Sequence, residues 1–331
     1  MSKKLSKQKL NDIITYGIVI AAFVIMQILI NAGEISSLFQ GLMVPLCTYI
    51  ILAISLNLVV GILGELSLGH AGFMCVGAFT SSFFSKAMQD TITNSTVRFL
   101  LALLIGIITA AIFGIIIGIP VLRLNGDYLA IVTLAFGEII KNLVNVLFIG
   151  KDSKGFHFST KDAVSLNMEP DGKIILNGPQ GITGTPNDST FFIGFILILV
   201  TLFIVLNLIH SRDGRAIMAI RDNRIAAESI GINITKYKLM TFTISAAMAG
   251  AAGVLYAHNL SNLTANTNNF GYNMSINILV FVVLGGIGNI RGSIIAAVVL
   301  TLLPELLRGM SDYRMLIYAI VLIVMMLFNW A

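Results

Sequence analysis

The sequence predicts an all-α polytopic membrane protein, and three observations carry that expectation. Hydrophobic residues make up 56% of the 331 and charged residues 11%, where a soluble domain carries about 25% charged residues. Long runs hold no charge: 21 residues between Asp12 and Glu34, 30 between Glu34 and Glu65, 24 between Arg98 and Arg123, 23 between Asp188 and Arg212, and 52 between Lys238 and Arg291. A helix crosses a bilayer in about 20 apolar residues, so each run holds a crossing and the last holds two. The basic residues gather in a few loops, as the positive-inside rule expects. The net charge of +5 therefore reflects loops on one side of a bilayer and excludes a nucleic-acid surface.

Ten crossings follow in order. The first, 13–32, comes after Lys3, Lys4, Lys7 and Lys9. Its apolar run is longer than a signal core and Ala32-Gly33 is a weak cleavage site, so it reads as an uncleaved helix. The next two are 39–62 and 66–85, and each contains one of the two cysteines, Cys47 and Cys75, with no disulfide or metal spacing. The fourth, 99–119, carries Gly114 and Gly118 as a GxxxG pair, a pattern of close helix packing. Then come 128–149, 190–209 and 239–257, the last nearly all small from Ala246 to Gly253. The final three are 273–288, 293–308 and 314–330. The third, eighth and ninth are short or glycine-rich, so tilted or re-entrant forms stay open and the count ranges from eight to ten.

Loop charges orient the whole chain as one transmembrane domain, 1–331. Segment 211–238 holds six basic against three acidic residues, net +3; segment 150–189 holds four against five, net −1. The first, with the lysine-rich N-terminus, is expected in the cytoplasm and the second outside. Ten crossings then put both termini in the cytoplasm. The outer segment, with Pro170, Pro179 and Pro186, is read as an extracytoplasmic loop, either functional or a mobile connection.

Segment 211–238 is the most informative stretch. Gly214 to Ile220 predicts a short helix, and Asp222 or Asn223 can cap a second, Arg224 to Ile230, that Gly231 ends in a left-handed conformation. Ala226, Ala227 and Ile230 are expected on one face, with Arg224 and Glu228 four apart on another. A small-residue face suits a groove on another protein; a helix lying on the membrane surface fits the composition equally.

Ala226-Ala227, three residues and Gly231 resemble the Ala-Ala-x-x-x-Gly core of the coupling loop in ABC-transporter permeases. Ile225 stands where that core usually has an acidic residue. The wider run from Gly214-Arg215-Ala216 through Gly231-Ile232-Asn233 to Tyr237-Lys238-Leu239 is similar to the LivM-type permease of branched-chain amino-acid importers. So are Leu66-Ser67-Leu68-Gly69-His70-Ala71-Gly72-Phe73, Gly126-Asp127-Tyr128 through Thr133-Leu134 with Phe136-Gly137-Glu138, Leu284-Gly285-Gly286-Ile287-Gly288-Asn289, and Pro304-Glu305-Leu306-Leu307-Arg308. Two departures stand out. Asn268-Asn269 replaces an expected proline before Phe270, and Asn289 stands where Ser or Thr is common.

The resemblance implies an ABC importer permease fold in the plasma (inner) membrane, working by alternating access. Its implied partners are a second, related permease, two ATPase subunits and an extracytoplasmic substrate-binding protein, besides the lipid bilayer. The expected cargo is leucine, isoleucine or valine; urea or short-chain amides are the alternative within the family. An ion-coupled secondary transporter is the alternative from another class. The chain has no Gly-x-x-x-x-Gly-Lys-Ser/Thr loop, no Gly-x-Ser-x-Gly elbow and no His-Glu-x-x-His. It is expected to be no enzyme and to need no cofactor itself, with ATP and Mg bound by its partners.

The coupling residues the resemblance indicates are Gly214, Arg215, Ala226, Ala227, Glu228 and Gly231. The candidate lining of the path is Asn57, Ser67, His70, Thr133 and Glu138, because polar groups within apolar spans face a bundle interior or a pore. Lys141 is three residues from Glu138 and can pair with it. His70 among small residues and Asn57 both also fit as hydrogen-bonded packing groups, and Asp127 can cap a helix start. The histidines, 70, 157, 210 and 258, are too scattered for a metal set.

Overall fold

The computed structural model describes residues 2–32, 36–124, 126–170 and 172–307, and positions 313, 316, 317, 319, 320, 323, 324 and 327. The helices in chain order are α1 (Ser2–Asn31), α2 (Ser37–Asn57), α3 (His70–Ala87), α4 (Ser95–Val121), α5 (Asp127–Val146), α6 (Phe191–His210), α7 (Arg212–Asp222), α8 (Arg224–Ser229), α9 (Ile234–Ala257), α10 (Thr267–Phe270), α11 (Tyr272–Gly285) and α12 (Ile290–Leu306). Among the described residues six spans are long and apolar enough to cross a membrane: 12–31, 39–63, 95–121, 127–146, 191–210 and 234–257. The expected third, eighth and ninth crossings appear as α3, α11 and α12, of 18, 14 and 17 residues. The expected tenth, 314–330, lies mostly outside the described residues, as does Arg308.

α2 does not stop at Asn57. It runs on through a π-helical turn, Leu58–Leu63, that closes at Gly64 with φ +79°. The chain from Glu65 to Gly69 has no helical hydrogen bonding, so α3 begins at His70 rather than at 66. Gly126, with φ +58°, holds the cap position of α5, and Asp127 makes no side-chain capping bond.

The core forms around α9, which packs on α2, α3 and α4. Three glycines let backbones touch there. A Cβ on Gly77 would lie 2.4 Å from the Gly250 carbonyl oxygen, and one on Gly250 would lie 2.8 Å from that of Gly106. Gly114 and Gly118 of the GxxxG pair meet Ala246 and Leu239 of α9. The two small-residue patterns visible in the sequence thus face one another, and close approach yields dispersion contact where lipid supplies no hydrophobic drive.

The fold is predominantly helical, and the expected loop 150–189 adds short strands that the all-α expectation did not include. β1 (Phe148–Asp152), β2 (Gly155–Ser159) and β3 (Lys173–Asn177) form an antiparallel sheet in the order β2-β1-β3. β4 (Ile182–Thr183) pairs with β5 (Asn262–Leu263). Short strands evade a period-two reading, and this sheet is seated on the bundle instead of carrying its own core. Lys151 Nζ donates to the Ala87 carbonyl (2.9 Å), and Lys86 Nζ to those of Ile174 (3.2 Å) and Thr183 (2.7 Å). Asp152 ties the β1–β2 turn. Burial alone would raise its pKa, but backbone N–H groups of Lys154, Glu169 and Gly155 and the His157 ring hold it below the usual carboxylate value.

The sheet and the α7–α8 hairpin occupy opposite ends of the bundle. α9 spans about 36 Å at 1.5 Å per residue. Near its start Lys238 pairs with Glu65, beside the π turn that α7 packs on. At its far end the His258 ring bonds the Ser85 hydroxyl (2.7 Å), next to the Lys86 and Ala87 that hold the sheet.

Candidate functional site

The α7–α8 hairpin is built by successive caps. Ser211 Oγ accepts from Gly214 N (3.0 Å), and Asn223, not Asp222, caps α8 by accepting from Ala226 N (3.0 Å). Asn233 caps α9 in the same way, accepting from Lys236 N (3.0 Å). Gly231 has φ +87° and open space around it, so its backbone conformation is the reason for glycine. Its N–H bonds the Glu228 carbonyl (3.0 Å) while Ile232 N–H bonds that of Ala227 (3.1 Å). This pair of bonds is a Schellman motif. Gly214 is required differently: a Cβ there would lie 2.1 Å from the Leu208 carbonyl oxygen.

The face expectation for α8 needs correction. Ala227 is 2% exposed, packed with Ile220 and Ile234, while Ile225 is 81% and Ile230 76% exposed. The Schellman closure folds the chain back over Ala227, so this alanine is small to fit its own loop. Ala226, Glu228 and Arg215 are exposed. The outward surface thus has two isoleucines among polar side chains.

The hairpin is fastened to the membrane helices by charged groups that sequence reading did not single out. Arg221 Nη1 donates to the Gly61 carbonyl (3.0 Å) in the π turn, and Lys238 pairs with Glu65. Arg221 also bonds Asp222 (2.9 Å). A signal was present: Glu65 and Lys238 each border a long uncharged run.

Four of the five path candidates lie inside the chain. His70 Nε2 is 2.8 Å from Ser55 Oγ and 3.4 Å from Ser245 Oγ, joining α2, α3 and α9. Asn57 donates to Ser293 Oγ (2.8 Å) and accepts from Gly288 N (2.9 Å), pinning the α11–α12 turn to α2. A Cβ on Gly61 would meet that same Gly288 at 2.3 Å. Thr133 Oγ1 accepts from Leu68 N (3.0 Å), satisfying the non-helical stretch before α3. Ser67 Oγ is buried with no partner among the described residues. His70 and Asn57 thus join helices, Thr133 holds the stretch before α3, and Ser67 makes no such bond among the described residues. Asn289, one of the two family departures, accepts from Gly292 N (3.3 Å) as the cap of α12, a role Ser or Thr would also fill.

Glu138 differs. It is half-buried, its Oε2 pairs with Lys141, and its Oε1 accepts from Tyr272 N (2.8 Å) at the start of α11. Lys141 also donates to Thr267 Oγ1 (3.2 Å). A separate cleft of about 400 Å³ between α1, α2, α6 and α12 is lined by Phe23, Met26, Cys47, Phe195, Ile294 and other apolar residues. It suits acyl chains and offers a zwitterion nothing. Among the described residues no three His, Cys, Asp or Glu side chains group as a metal site.

Residues 37–328 match the family described as the permease component of branched-chain amino-acid transport systems. The high-affinity branched-chain amino-acid transport permease LivM of Salmonella typhimurium is 35% identical over 290 residues, 85% of this chain and 66% of that protein. The chain thus spans slightly less than two thirds of this relative's length. The permease LivH of the same organism is 27% identical over 257 residues (76% of this chain, 79% of LivH). The fructose import permease FruG of Bifidobacterium longum is 27% identical over 282 residues (84% and 76%). No solved structure matches.

Proposed function

The chain belongs to the branched-chain amino-acid transport permease family, and from that premise we propose that it is the membrane subunit of an ATP-driven importer of leucine, isoleucine and valine. The observation that carries the reading is the 35% identity to LivM across 85% of the chain. The family is one of transport subunits, not enzymes.

In this reading the chain spans the plasma (inner) membrane ten times with both termini in the cytoplasm. It pairs with a related permease, as the likeness to both LivM and LivH supports. Two ATPase subunits bind ATP and Mg and engage the α7–α8 hairpin from the cytoplasm. A binding protein delivers cargo at the sheet end. ATP-driven movement of the hairpin passes through Arg221–Gly61 and Lys238–Glu65 into α2 and α9, and the helices alternate between outward and inward openings. The likeness to a fructose permease fits a path whose discrimination lies mainly in the binding protein.

The test is uptake of labelled leucine and urea by the chain co-expressed with its ATPase, permease and binding-protein partners. Leucine uptake that needs ATP and the binding protein is the expected result. Uptake of urea alone moves the cargo assignment, and uptake by the isolated chain driven by an ion gradient replaces the ABC reading.

A further inference from the structure

The outward faces of the helices are chemically unequal. α4 exposes Leu100, Leu104, Ile108, Ile112, Ile116 and Ile119, an unbroken aliphatic surface suited to lipid. α5 and α11 do not. Asn142 on α5 and Asn277 on α11 are exposed, and among the described residues neither carboxamide has a hydrogen-bond partner. Asn273 Nδ2 donates to Asn268 Oδ1 (3.1 Å) beside them. The two faces adjoin, because Glu138 of α5 accepts from Tyr272 N at the start of α11. At 1.5 Å per residue Glu138 lies about 12 Å below the sheet end of α5 and Asn277 about 7 Å deeper, near the middle of a hydrocarbon core of about 30 Å.

Asn142, four residues before the end of α5, lies about 6 Å below that end, so the two carboxamides mark the upper and middle parts of one strip. A carboxamide facing lipid within the core is costly, so such groups face a partner or a wet path. We propose that the joined faces of α5 and α11 form one wall of the amino-acid path, with Asn142 and Asn277 as its hydrogen-bonding groups. This rests on the importer reading above and names the residues it left open. The chemistry fits a neutral zwitterion with an aliphatic side chain. A carboxamide both donates and accepts, so it serves a carboxylate and an ammonium in turn. The charge of Glu138 is met by Lys141, so the wall has no fixed net charge to trap a passing ion. Ile131, Ile139 and Ile276, exposed on the same two helices, offer apolar surface to the side chain.

The experiment uses the assembled, transporting complex with single cysteines at 142, at 277 and, as the lipid-facing control, at Ile116; native Cys47 and Cys75 are buried. A charged, water-borne thiol reagent is expected to modify 142 and 277 but not 116, and saturating leucine is expected to slow that modification. Asn277→Leu is expected to lower uptake about tenfold, the worth of one hydrogen bond, with assembly intact, and Asn277→Gln to restore part of it. Cysteines at 142 and 277 that react no faster than 116, or that react at a rate leucine leaves unchanged, overturn the wall. So does full uptake by Asn277→Leu. Protection at 277 by a different cargo, with no leucine uptake by the unmodified complex, keeps the wall and overturns the amino-acid reading.

Discussion

The consequence of a single side chain in the hairpin depends on which way it points. Ala227 is enclosed by Ile220 and Ile234, whereas Ile225 and Ile230 stand in solvent. Ala227→Asp strands a charge among aliphatic groups and is expected to unfold the hairpin, at a cost of about 2 kcal/mol or more. Ile225→Asp and Ile230→Asp are expected to leave the hairpin folded and to weaken ATPase co-purification, since they remove exposed apolar side chains from the proposed ATPase contact. Proteolysis of the hairpin separates the two effects: only Ala227→Asp should speed cleavage, and cleavage of all three variants at one rate would contradict the assignment. The left-handed Gly231 was legible in the sequence because its requirement is local, set by the helix that ends there. The direction of Ala227 was not, because it depends on residues seven before and seven after it folding together. The same holds for Asn57 and His70, whose partners lie as far off as Ser293 and Ser245.

At the level of elements, the membrane helices were legible from uncharged runs and the sheet was not. β1 is broken by Gly150 and Lys151, and β2 alternates but turns Phe156 and Phe158 outward; the anchors of the sheet, Lys86 and Lys151, act across long sequence separations. Asp152 makes the sheet's stability depend on pH, and the sign follows from its lowered pKa. The folded state prefers the carboxylate, so the contribution is present above the unfolded value near 4 and is lost as pH falls through the lower, folded value. Amide exchange at Lys154, Gly155 and Glu169, corrected for intrinsic rates, is expected to lose protection over that acid range. Asp152→Asn should remove the pH dependence, and an unchanged acid profile in that variant would point to another group.

For the molecule as a whole, family and broad architecture were readable because motif spacing and loop charge survive without a structure. The number of crossings was not, because α11 and α12 are short and joined by a turn pinned to Asn57 rather than framed by charged loops. The +3 and −1 loops map to opposite ends of the bundle. Single cysteines at Ser229 and Ser165 are therefore expected to react with an impermeant reagent from opposite sides of the membrane, Ser229 from the cytoplasm. Labelling of both from one side would refute the orientation.

The glycine contact on α9 has a mechanical meaning. α9 contains no proline, in contrast to α2, α4 and α12 with Pro45, Pro120 and Pro304, so it has no built-in bend to absorb a push. It meets the backbones of Gly77 and Gly106 at Gly250 and that of Met74 at Gly253; Gly250 lies about 24 Å from the hairpin end and about 10 Å from the sheet end. A stiff rod resting there is a lever with unequal arms. In the proposed transport cycle, tilting it at the hairpin would swing the sheet end the opposite way through somewhat less than half the distance, so one stroke would move the two ends of the protein in opposite senses.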